Sequence, residues 1–201
     1  METVVLVGLG NPGEGYVRTR HNLGFQVLDR LADACAIRFA RSTYGARLGL
    51  GQVEGRRTVL CKPLTYMNRS GEAVKAMLAG MKLSASQMLV IHDDLDLPCG
   101  RLKLVPHGGA AGHRGVRSII EELGHDAFAR LKLGIGRPNP GVAVEDYVLQ
   151  EPTVLELQPM NDMVTQALDV VREFVSMGLA AAMNRFNRRE GLPLGAPGVH
   201  H

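Results

Sequence analysis

Cysteine is scarce in this chain. Three occur in 201 residues, Cys35, Cys61 and Cys99, and no two stand at a C-x-x-C spacing. The low, odd count excludes a zinc ribbon or a disulfide framework and leaves three reduced thiols, as expected of a cytosolic protein. Long hydrophobic runs are missing too: no apolar stretch reaches the roughly 18 residues needed to cross a bilayer. The apolar run at residues 3–8 is short, has no basic flank and ends in glycines, so it does not read as a signal peptide. Nor is there a large excess of charge of one sign. A formal net charge of +3 excludes a histone-like polyanion binder. It leaves room for a local basic face, because nucleic-acid affinity follows the distribution of charge rather than the total. No internal repeat and no linker composition divide the chain. It reads as one domain over residues 1–190 with a frayed, flexible tail at 191–201.

What is present is an ordinary core-forming composition, 45% hydrophobic, with strand and helix patterns in alternation. Residues 3–8 read as a buried strand that stops at Gly8-Leu9-Gly10-Asn11-Pro12-Gly13. Leu23, Val27, Leu28, Leu31 and Ala32 recur at helical spacing, predicting a helix over 21–35. Strands are expected at 44–53 and 57–61 around Glu54-Gly55, and a helix after Ser70, a plausible N-cap, with Val74, Met77, Leu78 and Met81 on one face. Residues 87–92, 101–105 and 130–135 predict further strands, Val116, Ile119, Ile120 and Leu123 a helix, and 153–187 one long helical segment with Leu155 among its apolar members. This alternation gives an α/β class: a single domain with a twisted mixed central sheet and helices on both faces. In such sheets, sites gather where strand ends open into loops. Three loops here are rich in polar groups: 10–22, 63–70 and 92–115.

The first loop matches G-x-G-x-x-G, but a dinucleotide site is a poor reading. Pro12, Gly13 and Gly15 delay the helix, and the acidic residue expected about 20 residues on is absent, Asp29 and Asp33 falling inside the first helix. What remains is a tight turn projecting Asn11 and Tyr16 into solvent. His21 stands at the start of the first helix, where an extra positive charge is disfavoured and a neutral, proton-accepting imidazole favoured. Asp93 follows the strand Leu89-Val90-Ile91-His92; were the two loops to converge, it would hold one ring nitrogen of His21 and aim the other at a water. By pattern alone a lone histidine is more often structural, and spacing does not prove that the loops converge. The run His92-Asp93-Asp94-Leu95-Asp96 also invites a hard cation, although Leu95 and Pro98 interrupt it and no glutamate closes it; a turn cap is the plainer reading of Asp94 and Asp96. No G-x-S-x-G elbow supports a serine nucleophile, and Cys35 and Cys61 sit in apolar surroundings. Water activated by a base is the simplest remaining chemistry.

Read together, five segments resemble bacterial-type peptidyl-tRNA hydrolase, in that family's order and spacing. They are Val7-Gly8-Leu9-Gly10-Asn11-Pro12-Gly13, Thr19-Arg20-His21-Asn22-Leu23-Gly24, Lys62-Pro63-Leu64-Thr65-Tyr66-Met67-Asn68-Arg69-Ser70-Gly71, His92-Asp93-Asp94-Leu95-Asp96-Leu97-Pro98, and Gly112-His113-Arg114-Gly115. The similarity spans about residues 3–187. It implies an esterase that releases tRNA from peptidyl-tRNA, working as a cytoplasmic monomer with no metal or other cofactor. By the same resemblance His21 is the catalytic base and Asp93 the carboxylate that keeps it in proton-accepting form. Asn11 separates blocked from free aminoacyl-tRNA, and Tyr16, Tyr66 and Asn68 contact the substrate. The Asn68 amide is the candidate donor to the oxyanion. Phosphate contacts have to come from cations, and Lys103, Arg114, Arg117 and Lys132 flank the second glycine loop.

One position departs from the pattern. The family usually has Asn after the glycine-loop histidine; here Arg114 stands there, and a guanidinium cannot accept a hydrogen bond. Either it reaches tRNA phosphates or the site is tuned differently. Two rivals stay open: a non-catalytic RNA-binding relative, and a metal-dependent hydrolase built on residues 92–96.

Overall fold

The computed structural model describes residues 2–187; the tail expected at 191–201 lies outside these described residues. Strand β1 (Val4–Gly8) is buried along its whole length. Its pleat sends Val4 and Leu6 into one apolar cluster and Val5 and Val7 into another. A strand with no polar face belongs inside a sheet covered on both sides, and β1 does lie there. It pairs in parallel with β4 (Arg56–Pro63) on one side and β5 (Met88–Asp94) on the other. The seven-stranded sheet is completed by β2 (Phe39–Thr43), β3 (Ala46–Val53), β6 (Leu102–Val105) and β7 (Ala129–Gly134), in the order β2-β3-β4-β1-β5-β7-β6. β5 and β7 pair in parallel; β2 with β3, β3 with β4 and β6 with β7 are antiparallel. The mixed sheet with two covered faces is the class the alternating pattern predicts.

The helices divide between the faces. α1 (Leu23–Ala34), α5 (Val154–Met177) and α6 (Leu179–Phe186) cover the cluster containing Leu6, Leu89 and Ile91, and α2 (Ser70–Met81) and α3 (Arg114–Leu123) cover the one containing Val7, Val90 and Met77. A short α4 (Val144–Val148) lies near the site. Four expectations change. The strand expected at 44–53 begins at Ala46, because Tyr44 and Gly45 take positive φ in the turn from the unforeseen edge strand β2. The single helical segment 153–187 is two helices, broken at Gly178 with φ of 85°. Leu155, expected on the packed face, is 87% exposed. Ser70 does not cap α2 as a side-chain acceptor: it is the first helical residue, and its Oγ donates to the Met67 carbonyl at 2.8 Å.

One close approach positions the site. A Cβ at Gly24 would lie 2.3 Å from the Ile91 carbonyl oxygen and 2.4 Å from the Leu9 nitrogen. Only glycine lets the first turn of α1 press against the ends of β1 and β5. That contact carries the turn before α1, with His21 in it, down onto the end of β5.

Candidate active site

The C-terminal ends of β1, β4 and β5 open side by side, and their loops line a cavity of about 330 Å³. His21 sits in a 3₁₀ turn, Arg20–Asn22, that runs directly into α1. Asp93 is the penultimate residue of β5. The two loops converge: His21 Nδ1 lies 2.9 Å from both carboxylate oxygens of Asp93. A second imidazole shares the carboxylate, with His113 Nε2 2.9 Å from Asp93 Oδ1. The tautomers follow from the partners. His113 is the N-cap of α3, and its Nδ1 accepts the backbone N–H of Gly115 and of Val116 at 3.1 and 3.2 Å. Its proton is therefore on Nε2, donated to Asp93. An ionised carboxylate only accepts, so His21 donates from Nδ1 and keeps its lone pair on Nε2. Asp93 is 2% exposed. Burial alone would push its carboxyl up, but the two imidazoles outweigh that and hold it well below the usual carboxylate range. Behind them His92 is buried, its ring centroid 4.7 Å from that of His113. Burial, then the neighbouring His113, keep it neutral, well below the ordinary histidine range.

Asn11 is not projected into solvent as the turn chemistry suggests. It is 8% exposed, held by the Asn22 side chain, which accepts from its backbone N–H at 2.8 Å and donates to its carbonyl at 3.0 Å. Asn11 Oδ1 accepts the Met67 N–H at 2.9 Å. With the oxygen committed, the amide Nδ2 is the group Asn11 offers to the cavity it lines. Tyr16, Tyr66 and Asn68 line the same cavity, Tyr66 63% exposed.

The cations distribute less simply. Arg114 lines the cavity but is paired: its Nη2 lies 2.7 Å from Glu145 Oε1 on α4. Lys132 binds Asp94 Oδ2 at 2.7 Å, and Lys103 is its exposed cross-strand neighbour; neither is among the cavity-lining residues. Asp94 Oδ1 accepts the N–H groups of Asp96 and Leu97, the turn cap expected of it, and Asp96 pairs with Arg137. The 92–96 run thus does not assemble a cation site. Among the described residues the set that brings possible ligand atoms together is His21, Asp93 and His113, all within 4.8 Å. Both histidine atoms that face Asp93 carry protons, so a cation there would have to displace them.

The family model for peptidyl-tRNA hydrolase matches residues 5–192. The chain belongs to the peptidyl-tRNA hydrolase family. A peptidyl-tRNA hydrolase of Exiguobacterium is 46% identical over 182 residues, 90% of this chain and 98% of the relative. One from Brevibacillus brevis is 43% identical over 183 residues, 91% and 97% of the two chains. The crystal structure of peptidyl-tRNA hydrolase from Acinetobacter baumannii superposes with a TM-score of 0.88 at 35% identity, covering 92% of this chain and 95% of that one. Within this peptidyl-tRNA hydrolase fold, sequence reasoning singled out His21, Asp93 and Asn11 but passed over His113 and Asn22. The available signal for His113 was its place just before Arg114-Gly115-Val116, the N-cap position of a predicted helix, which a histidine fills only by turning Nδ1 back onto the helix.

Proposed function

We propose that this chain hydrolyses the ester between a peptide, or an N-blocked aminoacyl group, and the 3′ end of tRNA. The observation that carries it is the doubly clamped carboxylate: a buried Asp93 that fixes His21 with Nδ1 as donor and Nε2 as acceptor, at the wall of a cavity also lined by Asn11. A water held at His21 Nε2 loses its proton to that nitrogen as its oxygen attacks the ester carbonyl carbon. Asp93 stabilises the imidazolium that forms. The tetrahedral oxyanion takes a hydrogen bond from a donor of the cavity lining, and the Asn68 amide is our candidate for it. Collapse breaks the bond to the 3′ oxygen, which takes the proton from His21. The products are a peptide carboxylate and tRNA with a free 3′ hydroxyl.

Substrate choice follows from the fixed orientation of Asn11. Its Nδ2 donor meets an acceptor in an acylated substrate, the carbonyl that blocks the amine, and meets like polarity in a free α-ammonium. Asn11→Ala should narrow the preference for N-blocked over free aminoacyl-tRNA by about tenfold, the scale of one site-specific hydrogen bond, as measured by the ratio of kcat/KM for the two substrates. An unchanged ratio would remove this role from Asn11.

Tyr16 and Tyr66 offer aromatic faces to the terminal nucleotide. Lys103 and Lys132 form a basic strip beside, not inside, the cavity, which suits phosphates of the acceptor stem. Replacing either with alanine should weaken tRNA binding and flatten its salt dependence by about one unit of log–log slope per phosphate contact. The Lys132 effect should be smaller, since part of its charge is matched by Asp94. Titrations at several salt concentrations check this. The protein is expected to act as a cytoplasmic monomer without a metal. No helix among the described residues is long and apolar enough to cross a membrane. The defining experiment is release of tRNA from N-blocked aminoacyl-tRNA, with wild type and His21→Ala side by side in excess EDTA. Activity that vanishes on chelation and returns with a divalent ion would favour the metal-dependent reading.

A further inference from the structure

Arg20 precedes His21 in the same 3₁₀ turn, and at 2% exposure it is among the most deeply buried side chains of the protein. An arginine this buried needs partners for nearly all of its donors. It finds most of them at and just after the end of α4 and one on α5, while its Nε is buried without a partner among the described residues. Its Nη1 donates to the carbonyls of Tyr147, Gln150 and Glu151 at 3.3, 3.2 and 3.0 Å, and its own backbone N–H donates to the Gln150 carbonyl at 3.1 Å. Tyr147 belongs to the last turn of α4, and Gln150 and Glu151 follow it, so the guanidinium gathers the carbonyls of the chain as it leaves the helix, where a cation is favoured. Its Nη2 bonds Glu156 Oε2, and the guanidinium lies 4.3 Å from the centre of the Tyr147 ring.

Glu156 is itself held on both oxygens. Oε2 closes the capping box of α5 by accepting the N–H and Oγ1 of Thr153 at 2.7 Å each, and Oε1 receives the Tyr147 hydroxyl at 3.2 Å. The same hydroxyl bonds the Ile135 carbonyl at 2.6 Å. The residues of and just after α4 on the cavity side, Val144, Glu145, Val148 and Leu149, form a wall of the cleft. One guanidinium therefore joins the turn that carries the base to the wall that a substrate leans on. The His21 ring is fixed by Asp93 on one side and its backbone by this joint on the other.

We propose that Arg20 is a positioning residue, which sets the distance between the α4 wall and His21 and so keeps the base in register with the bound ester. The proposal rests on the general-base reading above. A planar fork serves four acceptors at once; an ammonium cannot. Arg20→Lys keeps the charge but lets wall and base drift, and misplacements of about 1 Å can cost about 100-fold in rate.

The test is steady-state hydrolysis of N-blocked aminoacyl-tRNA by wild type, His21→Ala, Arg20→Lys and Glu156→Gln, at a temperature where circular dichroism shows each fully folded. Arg20→Lys should lower kcat at least tenfold with KM within threefold of wild type, and should move the histidine ¹⁵N resonances of His21. If Arg20→Lys does not fold, Glu156→Gln carries the test, with kcat down at least threefold. A folded Arg20→Lys, or failing that a folded Glu156→Gln, with wild-type kcat overturns the proposal and leaves Arg20 a stabilising residue only. Wild type that does not hydrolyse the substrate, or a His21→Ala as active as wild type, overturns the general-base reading instead.

Discussion

Replacing His21 with alanine should reduce kcat for release of tRNA from N-blocked aminoacyl-tRNA by about 10²–10⁴, the range in which a positioned general base contributes. Binding should survive. The aromatic faces of Tyr16 and Tyr66, the amides of Asn11 and Asn68 and the basic strip at Lys103 and Lys132 remain in place, and none depends on the imidazole. The kcat-only loss separates a group used in the transition state from one that merely holds substrate. Stability should fall modestly, on the order of 1–3 kcal/mol, because the buried Asp93 loses one of two imidazole partners. The measurement is single-turnover hydrolysis with tRNA affinity and a denaturant melt on the same preparation. Turnover persisting at the wild-type rate would exclude His21 as the base. A loss matched by an equal loss of affinity would make it a binding residue.

The loops that hold these groups were legible in the sequence; their meeting was not. Unbroken apolar runs in β1 and β5 announce central strands, and the stripes on α1 and α3 announce their packed faces. Each of those patterns is dictated by local periodicity, which sequence displays directly. The edge strand β2 escaped because Phe39-Ala40-Arg41-Ser42-Thr43 has one partner strand and an irregular register, so it needs no alternating pattern. Asn11 looked like a solvent-facing turn residue, and became a buried one only through Asn22 and the Met67 N–H, 11 and 56 residues away. Arg20 reads as an ordinary charge until α4 and Glu156 close over it. Contacts of this kind are set by which strands neighbour one another, a property of topology that no short window of residues contains. Arg114 shows the same limit: its ion pair with Glu145, 31 positions further on, is absent from any local pattern.

Asp93→Asn should be nearly as damaging to kcat as loss of His21, and for a reason that the shared carboxylate makes specific. An amide of the same shape offers one acceptor and one donor where the carboxylate offers acceptors only. His113 cannot adjust, because the N–H groups of Gly115 and Val116 occupy its Nδ1 and leave Nε2–H in need of an acceptor. The new Oδ1 therefore goes to His113, and the new Nδ2–H faces His21 Nδ1. Facing that donor, and sharing the remaining oxygen with His113, Nδ1 is driven to accept, which moves the His21 proton to Nε2, the position that had been free to take one from water. An aspartate-to-asparagine change behind a catalytic histidine costs about 10⁴ in a comparable arrangement, and a loss of about 10³–10⁴ in kcat is expected here. The isosteric amide keeps the packing but forfeits the stability that the ionised carboxylate contributes through its imidazole partners, so the variant should be folded and less stable than wild type near neutral pH. Its signature in pH is also fixed. The Asp93 carboxyl is held below its unfolded value, so its contribution to stability is present above about pH 4 and is lost as pH falls through the lower folded value. Asp93→Asn should lack that acid-range loss. Histidine ¹⁵N shifts report the tautomer directly: a His21 protonated on Nε2 in the variant, with kcat reduced, is the expected pair of results. A variant that keeps Nδ1–H on His21, or that keeps wild-type turnover, would show that the carboxylate does not set the state of the base.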